Sequence, residues 1–200
     1  MRLVSKGITS RDVEPIILAN VRTPDERKGD LGAQRAAMLR ACERLKGLAV
    51  RYGTETLLAT MAEVMDYSER LMLGMLADLP DGEGRFADYL DGDGIPDDAD
   101  GNDAPIWIRM KVTKSGDRIV VDFDGTDPQT AGPINAPLSV TASGVYCGLK
   151  TAIDPNSLIP PNSGCWRAIE VTAPEGSLLN AQFPSPVVYA NHEISHRLAD

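Results

Sequence analysis

At Pro80 the apolar pattern of this chain changes from a helical period to a strand period, and no other feature of the sequence constrains the fold as much. Before that point Met38, Ala41, Cys42, Leu45, Leu48, Ala49 and Tyr52 recur at helical spacing on one face. Gly53 ends this pattern and Thr54 caps the next. The second pattern carries Leu57, Met61, Val64, Met65, Leu71, Met72, Met75 and Leu79. A one-residue break between two such patterns predicts an antiparallel helical hairpin over about residues 31–79, with Asp30 at its N-cap and the methionines filling its core. Beyond Pro80, Ile106, Ile108, Met110 and Val112 alternate, and Ile119–Phe123 answers them. Lys114-Ser115-Gly116-Asp117 between them is a turn, so a β-hairpin is predicted.

The flanks are read the same way. Ser10 or Asp12 caps a short helix carrying Val13, Ile16 and Ile17, followed by an extended Leu18–Val21 and a turn at Thr23-Pro24-Asp25. Leu138–Ile153 has a helical pattern, and Ala168–Thr172 and Pro186–Tyr189 are strand-like. The fold class expected is α+β, in one domain: a long helical hairpin, an acidic loop over 81–104, then a β-hairpin and a loop-rich mixed region over 105–200.

Charge excludes several functions. The 200 residues carry a formal net charge of −9, which disfavours nucleic acid, because phosphate binding needs a basic surface. Nine acids, from Asp81 to Asp103, stand against the single base Arg85, so nearly all of the excess lies in one stretch. Clustered carboxylates invite a calcium reading, but neither register fits the twelve-residue loop. Starting at Asp91 puts Ile95 and Pro96 at positions 5 and 6; starting at Asp98 puts Arg109 where a bidentate Glu is needed. A solvated acidic loop with no metal is the expectation, and a calcium-loop or assembly module is the non-catalytic alternative. No apolar run reaches the roughly 18 residues of a membrane helix. Asp12 and Glu14 stand where a signal peptide would be apolar. Cys42, Cys147 and Cys165 form no Cys-x-x-Cys pair, as expected of a reduced cytoplasmic protein. Cys42 falls on the apolar helix face and reads as structural, whereas Cys165, beside Gly164, could be reactive.

The motifs of nucleotide and serine chemistry are missing: there is no Gly-Lys for a P-loop, no Gly-x-Gly-x-x-Gly and no Gly-x-Ser-x-Gly. His192 and His196 are four apart and would share a helix face, without the rest of a zinc-protease motif. What remains are polar groups in turn-rich sequence. Arg22, Asp30 and Gln34 follow Asn20; Asp122, Asp124 and Asn135 bracket a Gly/Pro loop; Asn162 precedes Gly164; and Asn191, His192, Glu193 and Arg197 end the chain. Carboxylates serve as bases, amides match amides and Arg clamps anions. Each such residue could equally cap a turn.

In their order these segments resemble the hydantoinase B/oxoprolinase family. The stretches that carry the resemblance begin with Asn20-Val-Arg22-Thr-Pro24 through Gly29-Asp30-Leu31-Gly-Ala33-Gln34, Leu79-Pro80-Asp-Gly82 and Leu90-Asp91-Gly-Asp93-Gly94. Val121-Asp122-Phe123-Asp-Gly125-Thr126, Gly132-Pro-Ile-Asn135-Ala-Pro137, Ile159-Pro160-Pro-Asn162-Ser-Gly164 and Ala173-Pro174-Glu-Gly176-Ser177 follow, and Asn191-His192-Glu193-Ile-Ser-His196-Arg197 closes the set. Family members are much longer, so the resemblance implies a central portion of the domain, inactive by itself. It implies that the preceding part bears a divalent metal and that this stretch holds none. It also implies ATP-dependent ring opening of a hydantoin, 5-oxoproline or a lactam, with ATP used by an A-type partner subunit in a hetero-oligomer. A carboxylase of the acetone type is the alternative chemistry. The candidate catalytic residues are Asp122, Asp124, Asn135 and Glu193. Those for substrate binding are Arg22, Asp30, Gln34, Asn162, Asn191, His192 and Arg197.

Overall fold

The computed structural model describes residues 2–97, 99, 101 and 103–199, and the chain forms two compact units, Met1–Met61 and Ala62–Asp200. In the first, β1 (Val4–Ser5) and β2 (Ile8–Thr9) pair antiparallel across Lys6-Gly7, both at positive φ. Helix α1 (Val13–Ala19) follows, then α2 (Pro24–Tyr52), which has Pro24 in its first turn and Asp25 and Glu26 at the positive end of its dipole. Gly53, at φ 84°, stops it in a conformation that glycine adopts without strain. Helix α3 (Thr54–Ala77) starts in this unit and runs into the second.

Several expectations change here. Leu18 is helical, so the extended Leu18–Val21 segment does not form. Asp30 lies inside α2, not at its start, because Pro24 opens the helix six residues earlier. The two long helices form with their break at Gly53, but α2 buries no residue: Met38 is 60% exposed, and Cys42 is exposed rather than packed. A helical period marks a face, and it does not name what covers that face.

The second unit is built on a four-stranded sheet in the order β3-β4-β5-β6. Strand β3 (Gly82–Leu90) pairs antiparallel with β4 (Ile106–Ser115), and β4 with β5 (Arg118–Asp122) across the predicted turn. Helix α4 (Leu138–Ile153) then carries the chain over to β6 (Ile169–Thr172), which pairs parallel with β5, and α5 (Ala190–Ala199) ends the unit. More than a third of the expected acidic loop is therefore strand: Glu83 and Asp88 stand on β3, whose length the alternating partner β4 dictates. Pro186–Tyr189 is not a strand. The inward residues Ile106, Ile108, Ile119 and Val121, with Phe123, join Met72 and Leu76 of α3 in one core. Ile194 and Leu198 of α5 complete it. Helices α4 and α5 approach closely because Gly144 and Gly148 leave room; a Cβ at Gly148 would lie 3.0 Å from the Leu198 carbonyl.

Two polar devices fix the loops. Asp154, 2% exposed, accepts hydrogen bonds from Lys150 Nζ and from the Leu158 and Ile159 amides. Burial pushes its carboxyl pKa up, but the Lys150 ammonium and the two amides outweigh this and hold it below the usual carboxylate range. Asn162 donates to Ser68 Oγ and accepts from the Gly164 amide, docking its loop on α3; Gly164 then sits so close that a Cβ would come within 1.9 Å of the Met65 carbonyl.

Two outcomes follow. Gly164→Ala is expected to destabilise by about 1–3 kcal/mol or more through overpacking, whereas Gly74→Ala, in open space within α3, should stabilise by up to about 1 kcal/mol. Urea unfolding of both variants checks this. Because the pKa of Asp154 is lowered on folding, its stabilisation is complete above the unfolded carboxylate pKa and is lost as pH falls through the folded value. The stability gap between wild type and Asp154→Asn should therefore shrink as pH drops from about 6 towards about 3, measured by urea midpoints across pH.

Candidate functional site

Three segments distant in sequence meet in the second unit. The end of β3 and the turn after it (Leu90–Gly94), the turn at Pro133-Ile134, and Tyr189, Glu193 and Arg197 at α5 line a cleft of about 510 Å³. Each junction has an identifiable bond. The Asp93 carboxylate accepts from the Gly132 amide at 2.7 Å and from the Ile95 amide at 2.9 Å. Asp103 accepts from the Asp93 and Gly94 amides. The Tyr189 amide donates to the Pro133 carbonyl at 2.8 Å, which ties the α5 entry to the turn. Arg197 Nη1 donates to Asp88 Oδ2 at 2.5 Å, joining α5 to β3. Gly132 must be glycine for this closure, since a Cβ there would lie 2.2 Å from the Asp93 carbonyl.

The Asp88–Arg197 pair decides the electrostatics. Asp88 faces Ile108 across the β3–β4 ladder, on the core side of the sheet, and both side chains of the pair are about 31% exposed. The Arg197 guanidinium, helped by the Tyr89 amide, holds the Asp88 carboxyl below the usual carboxylate range. Arg197 Nε is buried and has no partner among the described residues. Glu193 is exposed at the rim, one helical turn before Arg197.

The remaining candidates lie elsewhere. Arg22, Asp30 and Gln34 belong to the first unit, where all three are exposed at its surface and Asp30 pairs with Arg27 at 2.8 Å. Asp122 accepts from the Asp124 amide and the Thr172 hydroxyl at the end of β5, and Asp124 is exposed beside it; neither lines the cleft. Asn135 is fully buried, its amide engaged by the Thr130 amide and the Thr130, Gly132 and Pro186 carbonyls, so it shapes the turn beneath the cleft. Asn162 is committed to α3 as described. Asn191 and His192 are exposed at the start of α5. Cys165 is buried and donates to the Asn162 carbonyl, which removes it as a reactive thiol. Asp88 and Tyr189 were not foreseen. The alternation of β3 could have placed Asp88 on the inner face, but only β4 defines that strand.

Known proteins share this fold. The family model for hydantoinase B/oxoprolinase matches residues 1–200. The chain belongs to the hydantoinase B/oxoprolinase family. It is 35% identical over 193 residues to a Pseudomonas sp. (strain NS671) protein that bears the name of a D-/L-hydantoinase B-type subunit, covering 94% of this chain and 32% of that one. To the beta subunit of the Pseudomonas jessenii caprolactamase it is 32% identical, over 100% of this chain and 33% of the relative. The crystal structure of the ATP-dependent caprolactamase from that organism superposes with a TM-score of 0.81 over the whole chain, at 32% identity and covering 33% of the solved chain. A nucleotide-free acetone carboxylase structure shares the fold, with a TM-score of 0.78 at 16% identity, over 96% of this chain and 26% of that one. The chain thus spans about a third of the length of the curated hydantoinase and caprolactamase relatives. All three cleft-lining segments are among those that mark the family in the sequence. Among the described residues no group of three or more His, Cys, Asp or Glu could hold a metal ion. Nor is any helix among them long and apolar enough to cross a membrane.

Asn135→Ala would strand the backbone groups that its amide satisfies. It is expected to cost at least about 1–3 kcal/mol, read as a lowered unfolding midpoint, whereas Asn191→Ala, at an exposed position, should leave stability nearly unchanged.

Proposed function

We propose that this chain is the central portion of the B-type component of an ATP-dependent cyclic-amide hydrolase, and that the cleft between β3, the Pro133 turn and α5 takes part in ring opening. The observation that carries this is the convergence of three family segments on one cleft holding a carboxylate, Glu193, and a guanidinium, Arg197. Relatives named for hydantoin, caprolactam and 5-oxoproline support the substrate class, and the B-type and beta-type subunit names among them support a partner subunit. The ATP dependence of the caprolactamase whose structure superposes on this chain supports ATP use, here assigned to an A-type partner in a hetero-oligomer. Free Cys42, Cys147 and Cys165 fit a cytoplasmic setting. The acetone carboxylase likeness rests on the fold alone and favours no second reading.

The chemistry divides between the two subunits. A resonance-stabilised amide resists water, and phosphorylating its oxygen on the partner makes the ring carbon electrophilic. In the cleft, water adds to that carbon while Glu193 takes its proton; the ring C–N bond then breaks, Glu193 returns the proton to the nitrogen, and a second water cleaves the resulting acyl phosphate to carboxylate and inorganic phosphate. Arg197, at the same wall, places a positive charge near the oxygen that gains negative charge.

The test combines the complete B-type component containing this stretch with its A-type partner and ATP, and follows ring opening by chromatography. Glu193→Gln should reduce turnover about a hundredfold or more, the range expected for a lost general base, with circular dichroism unchanged. Asp122→Asn is measured beside it: a comparable loss would extend the machinery to the end of β5, and full activity would leave Asp122 as a turn-shaping residue. Normal turnover in Glu193→Gln would overturn the assignment of the cleft.

A further inference from the structure

Glu193 and Arg197 stand one turn apart on α5, and both line the cleft. A glutamate four residues before a cation is the spacing at which helix side chains pair, so local geometry favours a bond between these two. The structure holds a different one. Arg197 Nη1 donates to Asp88 Oδ2 at 2.5 Å, and Glu193 is left exposed at the rim. Asp88 has the advantage of position: its ladder register opposite Ile108 fixes its backbone, and both side chains of its pair are only 31% exposed. Water screens such a pair less than one at the rim, and a short carboxylate on a strand has less freedom to lose than an exposed glutamate. Arg197 is anchored at its backbone by its neighbours Ile194 and Leu198 in the core, so its long side chain depends on Asp88 for its direction.

We propose that Asp88 is a positioning residue: by holding Arg197 it keeps the guanidinium off Glu193 and leaves that carboxylate free to take a proton in the cleft. The inference rests on Glu193 being the base, as read above. A general base gives a lone pair to the attacking water, and a carboxylate bound by a neighbouring guanidinium has already committed it. Without Asp88 the guanidinium needs another partner. Asp93 cannot serve, since the Gly132 and Ile95 amides already hold its two oxygens. Asp91 lies on the turn after β3, whereas Glu193 is on the same helix at the pairing distance, so Glu193 is the carboxylate the freed side chain meets. That pair would withdraw the base and draw the cation of the lining away from the reacting oxygen. Asp88 does not line the cleft, so it acts on the reaction only through Arg197.

The experiment measures kcat and KM of the complete B-type component with its A-type partner and ATP, on whichever of hydantoin, caprolactam and 5-oxoproline the wild type opens. Asp88→Asn, Asp88→Glu, Arg197→Gln, Glu193→Gln and the double variant Asp88→Asn with Arg197→Gln are compared, with folding checked by circular dichroism. Asp88→Asn is expected to lower kcat at least about fivefold with KM changed less than about twofold, and Asp88→Glu, which keeps the charge, to retain more turnover. Arg197→Gln should lower turnover in the wild-type background but raise it at least about twofold when added to Asp88→Asn, where it removes the group that occupies Glu193. A bond that only holds α5 to β3 would not produce this change of sign. If Glu193→Gln lowers turnover while Asp88→Asn does not, or Arg197→Gln fails to raise turnover in the Asp88→Asn background, the positioning role is overturned and the site stands. Loss of fold in both Asp88→Asn and Asp88→Ser makes the pair a structural bond and overturns the role likewise. If the wild type opens none of the three rings, or Glu193→Gln turns over normally, the site reading falls and the positioning role with it.

Discussion

Burial of one face of the sheet organises the second unit. Ile106 and Ile108 on β4 and Ile119 and Val121 on β5 point to the same side, and Phe123 extends the row past the strand end. Each fully buried large aliphatic or aromatic side chain is worth about 1.5–3 kcal/mol, so a one-residue slip of register would turn this whole set out into water. The rest is placed by that choice. Leu90 and Asp88 on β3 are forced to the inner side by pairing with Ile106 and Ile108, α5 seats Ile194 and Leu198 on the core, and Arg197 is thereby carried to Asp88.

The cleft is a by-product of the same packing, fixed by polar bonds that loops need when they approach closely. Backbone groups in the 127–136 loop find partners in the 174–182 loop: Gln129 N donates to Gly176 O, Leu178 N to Asp127 O, and Ala136 N to Leu178 O. Buried backbone groups must be paired somewhere, and here each loop satisfies the other. Asp93 and Asn135 supply the contacts that backbone alone does not make. A wall assembled this way is rigid.

The acidic stretch illustrates how one composition serves different ends. Asp93, Asp97 and Asp103 cap backbone amides of their own loop, and Asp81 anchors Lys114 and the Gly116 turn. Asp88 reaches instead to a helix at the far end of the chain. A carboxylate beside free amides is stabilised locally whatever its neighbours do.

Much of the architecture was legible in the sequence because it depends on local rules. The period change after Pro80, the Gly116-Asp117 turn, the Leu138–Ile153 helix and the break at Gly53 each follow from backbone preference and from which side chains avoid water. The ordered polar segments also marked the family. Strand β3 was hidden, because its charged and glycine residues take their extended form from pairing with β4. The stripe of α2 is exposed against expectation, since a pattern of residues carries no information about a covering partner. The site was legible only in pieces. Glu193 and Arg197 stood out as polar groups in a turn-rich end, whereas Asn135 and Asn162 looked the same and turned out to be fasteners, Asn135 fully buried and Asn162 half-buried. Sequence determined which residues could bear charge and chemistry. Tertiary structure decided which of them meet, because Asp88 and Arg197, 109 residues apart, come together only when the sheet and α5 share one core.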